Sequence, residues 1–302
     1  MGGEQEGIKR TRMSLRHGFY AAQGLAEDEL AAIKALAEEC NRYEALDLKL
    51  NWSTLRGRSR QETNDFLYYD HGTLIGYLPI FHFNTQEAEI SGMVAPQWRR
   101  RGIFTTLLEA ARKECQRRNV PSLLFIVQHQ SASGQAFAAA LHPQYDHSEY
   151  KMKWEAAAMP ESLPSSSMHY RQAGVEDLPD LKSITAAAFQ MPVEGVDWYS
   201  EEAIKYSSRT YYLASIDASI VGKIDVLYDA EEAYIAGFGV LPEYQGRGYG
   251  RQILNWTIQE ILRRGQSNIV LEVSVDNAHA LGLYTSCGFK QLNSDDYYRQ
   301  TI

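Results

Sequence analysis

Cysteine is scarce: the 302-residue chain holds three, Cys40, Cys115 and Cys287. An odd, widely spaced set excludes a disulfide framework, and no pair has the spacing of a zinc site. A reducing, cytoplasmic compartment is therefore expected, with no bound metal. No apolar run reaches the roughly 18 residues that a membrane span needs. Residues 1–16 are polar and basic without an apolar stretch, so they lack the pattern of a secretory signal. The chain starts Met-Gly, yet Glu6 stands where a myristoylation signal needs Ser or Thr. The segment reads as a loose tail, with Met13 an alternative start. Positive charge is also short. Residues 1–158 hold 19 Lys and Arg against 19 Asp and Glu, and residues 159–302 hold 11 against 19, which is the whole net charge of −8. An acidic half repels nucleic acid and anionic membranes and attracts cations; it serves either solubility or a cationic substrate such as a small-molecule amine.

What is present is a repeat. The length suits two domains of about 150 residues each. Leu74-Ile75-Gly76 precedes Met93-Val94-Ala95-Pro96 and Arg99-Arg100-Arg101-Gly102; Ile220-Val221-Gly222 precedes Gly239-Val240-Leu241-Pro242 and Gln245-Gly246-Arg247-Gly248. One offset of 146 residues carries Gly76 to Gly222, Val94 to Val240, Pro96 to Pro242, Gly102 to Gly248 and Val127 to Val273 without a gap. Residues 156–167, AAAMPESLPSSS, have linker composition. The expected division is an N-terminal copy at 1–157, a linker at 158–167 and a C-terminal copy at 168–302.

The second copy reads as a strand from His169, a helix capped by Asp177 and running to about Phe189, and a helix over Trp198–Ser207. Strands follow at Tyr211–Ile216, Ile220–Tyr228 and Ala233–Val240. A helix over Gly248–Arg264, a strand at Asn268–Val275, a helix at Asn277–Ser286 and one or two strands over Phe289–Thr301 complete it. Tyr145–Trp154 alternates like a strand that closes the first copy. A meander of strands followed by alternating strands and helices implies an α+β fold, each copy a mixed, mainly antiparallel sheet flanked by helices.

The chemistry concentrates in Val240–Arg251, where a strand ends and a helix begins inside a glycine cluster. The first N–H groups of a helix lack internal partners and carry the positive end of its dipole, so they suit a pyrophosphate. Gly246, Gly248 and Gly250 let the backbone approach the anion, and Arg247 and Arg251 add charge. A dinucleotide fingerprint would need a glycine where Arg251 stands, and no Gly-Lys-Ser/Thr phosphate loop occurs.

Val-x-Pro-x-Tyr-Gln-x-x-Gly-x-Gly, with the Leu271-Glu272-Val273 strand and Asn277-x-x-Ala280-x-x-x-Tyr284-x-x-x-Gly288-Phe289, resembles the GNAT acetyltransferase superfamily. The firm match covers Tyr234–Phe289. The resemblance implies an acetyl-CoA donor bound by Gln245, Gly246, Arg247, Gly248, Tyr249, Gly250 and Arg251 at the pyrophosphate. It places backbone groups of Phe238, Gly239 and Val240, with Asn277, along the pantetheine arm. Tyr284 would protonate the leaving thiolate, and Glu272, twelve residues earlier, would serve as base directly or through water. Glu232 and Tyr234 are reserve candidates for the base.

The offset maps Glu272, Asn277 and Tyr284 to Ile126, Ser131 and Ala138, and Gly250 to Phe104. The first copy thus keeps the scaffold without the catalytic pair. His129, His142 and His147 share no metal-binding spacing, and Arg56–Arg60 reads as a solvated loop in preference to the border of a binding cleft. The expected activity is N-acetylation of a primary amine, a small cationic molecule, by the second copy. The alternatives are acetylation of a protein or peptide N-terminus and a non-catalytic acyl-CoA sensor.

Overall fold

Residues 16–82, 86–156, 168–196, 198–230 and 232–302 are described by a computed structural model. Most of the tail and the linker at 158–167 lie outside these residues. The packed units do not coincide with the sequence copies: one comprises Met1–Ile126 with Arg299–Ile302, the other Val127–Tyr298.

In the first unit, β1 (Gly18–Ala22), β2 (Asp65–Asp70), β3 (Thr73–Phe81) and β4 (Glu87–Ile90) run antiparallel in that order. β4 pairs in parallel with β6 (Ser122–Gln128), and β5 (Met93–Val94) pairs with β3. The helices are α1 (Glu27–Glu44), α2 (Trp52–Gly57) and α3 (Ile103–Arg117). Arg58 corrects the solvated-loop reading of its segment. Its side chain is 4 % exposed, lies 3.1 Å from Asp65 and donates to the carbonyls of Asn64 and Ile80.

The second unit begins in the first copy, with α4 (Ala132–Leu141) and β7 (Gln144–Trp154). It continues with β8 (Met168–Gln172), α5 (Leu178–Phe189), α6 (Glu201–Tyr206), β9 (Arg209–Ile216), β10 (Ser219–Tyr228), β11 (Ala233–Val240), α7 (Tyr249–Arg263), β12 (Ile269–Ser274), α8 (Ala278–Ser286) and β13 (Phe289–Thr301). Its strand order is β13-β7-β12-β11-β10-β9-β8. From β7 to β8 the neighbours pair antiparallel except β11 and β12, which run parallel. Asp177 precedes α5 but makes no side-chain cap; its carboxylate takes two bonds from Arg171 and one from the Gly174 N–H.

The alternation of apolar residues fixes two faces. Val221, Ile224, Val226, Ile235, Leu271 and Val273 pack with Ile253, Leu254, Ile258 and Ile261 of α7. On the opposite face Leu213 and Tyr211 pack with Leu181 and Ile184 of α5.

β7 closes a different sheet from the one its position in sequence suggests. It pairs with β12 through five residues, Glu149↔Ser274 to Lys153↔Val270, and Met152 and Trp154 enter the α7 core. The Trp154 indole N–H donates to the Cys287 carbonyl at 3.2 Å. Two backbone bonds show the exchange: Val275 N–H to Ser148 O at 3.0 Å and His129 N–H to Ser294 O at 2.9 Å. The offset of 146 turns one into the other with the copies swapped. A fragment of residues 168–302 therefore leaves β12 with an open edge and an uncovered apolar face. It should show no cooperative thermal unfolding by circular dichroism, whereas residues 127–302 should unfold cooperatively. Cooperative unfolding of the shorter fragment would show that β7 is dispensable.

Candidate active site

The glycine loop has the geometry of an anion cradle. A single 3₁₀ turn, Pro242–Tyr244, leads to Gly246 at φ +73° and Gly248 at φ +81°, the residue before α7. A Cβ at either glycine would meet no heavy atom within 4 Å, so the loop faces open space. Among the described residues the N–H groups of Gly246 to Arg251 have no hydrogen-bond partner. Gln245 does not extend toward that space: its side-chain amide donates to the Val240 carbonyl at 2.9 Å and ties the loop to β11. Arg247 lies 5.7 Å from the Tyr244 ring centroid.

Next to the loop, the parallel pair comes apart. β11 and β12 are in register only from Ala233↔Ile269 to Ile235↔Leu271. Beyond Ile235, therefore, the β11 edge that carries Phe238, Gly239 and Val240 is unpaired on the β12 side. Tyr284 stands at this opening on α8, 6.4 Å from Phe238 and 6.0 Å from Phe289 between ring centroids. It is 8 % exposed, and its hydroxyl has no hydrogen-bond partner among the described residues. Burial alone pushes its pKa up to about 12, so it carries its proton throughout the physiological range. Asn277 begins α8 and accepts from the Ala280 N–H at 3.0 Å. That is a capping role, and Ser131 repeats it in the first copy by accepting from the Gly134 N–H.

Glu272 is the first β12 residue past the paired segment. It is half-buried and accepts a hydrogen bond from the Tyr234 hydroxyl at 2.9 Å. Two of the three base candidates are thus joined. Lys151 of β7 pairs directly with Glu272, which puts both side chains on one face, and its ammonium lies 3.9 Å from Glu232. Glu232, Tyr234, Glu272 and Lys151 make a polar strip on the face opposite α7. Lys151 was not legible in the sequence as a site residue, because nothing local reports that β7 crosses to the other copy's sheet.

The first copy retains the loop shape with different residues. Arg100, at φ +65°, replaces Gly246, and Gly102, at φ +80°, matches Gly248. Arg99 replaces Gln245, donating to the Val94 carbonyl at 3.1 Å, but its charge is engaged by Glu44 at 3.0 Å. Phe104 takes the place of Gly250, and its ring would lie 2.9 Å from a Cβ on Gly92, the counterpart of Phe238. Apart from this, one group of described side chains, His17, Asp70 and His71, brings three ligand atoms within 4.8 Å of one another. These residues belong to the first unit, and His17 and His71 are exposed.

Comparison with known proteins identifies the family and the fold. The profile of the Acetyltransferase (GNAT) family matches residues 27–142 and 178–289. A mycothiol acetyltransferase of Mycobacterium marinum is 24 % identical over 306 residues, covering 91 % of this chain and 94 % of that protein. A ribosomal protein bS18-alanine N-acetyltransferase of Escherichia coli is 39 % identical over 72 residues, which are 24 % of this chain and 49 % of that protein. Among solved structures, a GCN5-related N-acetyltransferase from Sphaerobacter thermophilus shares the fold with a TM-score of 0.74 at 18 % identity, covering 94 % of this chain and 95 % of that one. A tandem GNAT protein from the clavulanic acid biosynthesis pathway matches with a TM-score of 0.74 at 15 % identity, covering 94 % and 98 %.

Proposed function

The chain belongs to the acetyltransferase (GNAT) family, and from that membership we propose that it transfers an acetyl group from acetyl-CoA to the primary amine of a small cationic molecule, at one site. That site is built on residues 168–302 with β7. The observation that carries this reading is Tyr284, a largely buried ring whose hydroxyl has no hydrogen-bond partner among the described residues, at the opening between β11 and β12 beside an open glycine cradle.

In this mechanism Gly246–Arg251 hold the pyrophosphate through backbone N–H groups and the α7 dipole, and Gln245 ties their loop to β11. The pantetheine arm lies along the open β11 edge at Phe238, Gly239 and Val240, near Asn277. The deprotonated amine attacks the thioester carbonyl carbon, the C–S bond breaks, and sulfur departs with the electron pair. Glu272, directly or through water, takes the proton the nitrogen gives up. Tyr284 donates to the sulfur. Its pKa of about 12 exceeds that of an ordinary thiol, about 8.5, so its first contribution is a hydrogen bond to the thiolate rather than complete proton transfer. The Tyr234 bond orients Glu272, and Lys151 balances charge on the strip. Carboxylates on that strip and the acidic second half favour a cationic acceptor.

Glu272→Gln should lower kcat/KM for an accepted amine by about 10²-fold. The loss should be largest at low pH, where the amine is protonated and most needs a base. Steady-state rates across pH check this; a wild-type profile would move the role to Glu232 or to water. The local 39 % identity to an alanine N-acetyltransferase supports a second reading, a peptide N-terminus as acceptor. A panel of small diamines, amino sugars and short peptides assayed with acetyl-CoA separates the two. Tight acetyl-CoA binding with no turnover on any of them would leave the sensor reading.

A further inference from the structure

A fully buried charged cluster lies under β11 and takes no part in the mechanism above. Lys223 and Asp225, two residues apart on β10, are each 0 % exposed. The Lys223 ammonium donates to Asp225 Oδ1 at 2.8 Å and to the Tyr199 hydroxyl, and lies 4.8 Å from the Tyr199 ring centroid. The Tyr199 hydroxyl donates to Asp225 Oδ2 at 3.1 Å and lies 3.1 Å from the Thr185 hydroxyl of α5. Burial lowers the Lys223 pKa and raises that of Tyr199. A buried ion pair is a poor source of stability, since apolar residues of similar volume often replace one without loss. Its presence here calls for another reason.

That reason is the strand above it. Between Asp225↔Ala236 and Lys223↔Gly239, β11 carries one more residue than β10, a β-bulge at Gly237-Phe238. Gly237 has φ +48°, and a Cβ there would lie 2.4 Å from Asp225 Oδ2 and 2.9 Å from the Lys223 ammonium. The bulge therefore rests on the ion pair. It falls where β11 has parted from β12, and its second residue is Phe238, which faces Tyr284. In the first copy the offset places Tyr77, Pro79 and Ser91 at Lys223, Asp225 and Gly237. There the ladder passes from Ile80↔Ile90 to Tyr77↔Met93 with equal numbers of residues on both sides. The cluster and the bulge occur together, in the copy that holds Tyr284 and Glu272.

We propose that Lys223, Asp225 and Tyr199 are positioning residues for the acyl group: they fix the Gly237 bulge, and the bulge aims the open backbone edge of β11 at the thioester beside Tyr284. The proposal rests on the reading of Gln245–Arg251 and the β11 edge as the donor site. It separates the two ends of that site. The pyrophosphate cradle belongs to α7 and its loop, whereas the reacting end belongs to the bulge.

The test is the double variant Lys223→Met with Asp225→Leu, which replaces the pair by apolar residues of similar size. CoA binding by calorimetry should stay within about two-fold of wild type, and kcat with an accepted amine should fall about ten-fold or more, the scale expected when reacting atoms are misplaced by a fraction of an ångström. Unchanged kcat overturns the proposal, and so does a loss of CoA affinity in step with kcat, which would mark a general structural role. Tyr199→Phe keeps the ring and removes only the hydroxyl, so it decides the matter if the double variant does not fold. It should lower kcat about three-fold or more at unchanged CoA affinity, and a wild-type rate overturns the proposal. Failure of the wild-type chain to bind CoA would instead remove the donor-site reading.

Discussion

Replacing Tyr284 by Phe should lower kcat by about 10²-fold while the affinity for acetyl-CoA changes by less than about two-fold. The expectation follows from what the ring and the hydroxyl each do. The ring packs against Phe238 and Phe289 in the α7 core, and Phe preserves that packing. The hydroxyl has no partner among the described residues, so its removal orphans no donor or acceptor in the folded protein. Loss of stability should therefore be small, and the effect should appear only where sulfur gains charge in the transition state. The pH profile provides a second check. With its pKa at about 12, Tyr284 keeps its proton to high pH, so the wild-type rate should rise as the amine deprotonates and show no downturn below about pH 10. A variant with a wild-type rate would make Tyr284 a packing residue and place the proton donor elsewhere.

Gly248→Glu should abolish acetyl-CoA binding and activity, whereas Gly102→Glu should leave kcat within a few-fold of wild type. The two positions are matched. Gly248 has φ +81° and Gly102 φ +80°, each immediately precedes a helix, and a Cβ at either meets nothing within 4 Å. Backbone strain from a side chain at positive φ, about 1–2 kcal/mol, is common to both and cancels in the comparison. What differs is the site. At Gly248 the carboxylate enters a cradle of unpartnered N–H groups with a slot leading from it. At Gly102 the neighbouring Arg99 is already paired with Glu44, and the first turn of α3 carries Phe104 against the strand. Equal damage from both substitutions in folded protein would mean that the first copy also binds the donor productively.

The sequence carried the fold and the loop because both rest on local signals. The 146-residue offset aligned strands and glycines in the two halves, and β11, α7 and β13 occur within a residue or two of their expected bounds. Asn277 and Gly248 mark helix starts, as their residue types dictate. Pairings between distant segments were not legible. Alternation showed that Tyr145–Trp154 is a strand but not that its partner is β12, since any apolar sheet edge rewards the same pattern. Lys151 is not legible for this reason. Lys223 and Asp225 are not legible for another: they occupy core positions of a strand, where charge is expected only with partners, and Tyr199 lies 24 residues from Lys223. Arg58 lies within an arginine-rich segment that reads as solvated, yet Asp65 and two carbonyls satisfy it in the interior.

The measurement that bears most directly on the account is the stoichiometry of acetyl-CoA binding to the full chain by calorimetry. One site per chain is expected, lost in Gly248→Glu and retained in Gly102→Glu. Two equivalent sites, or one site that survives Gly248→Glu, would contradict it.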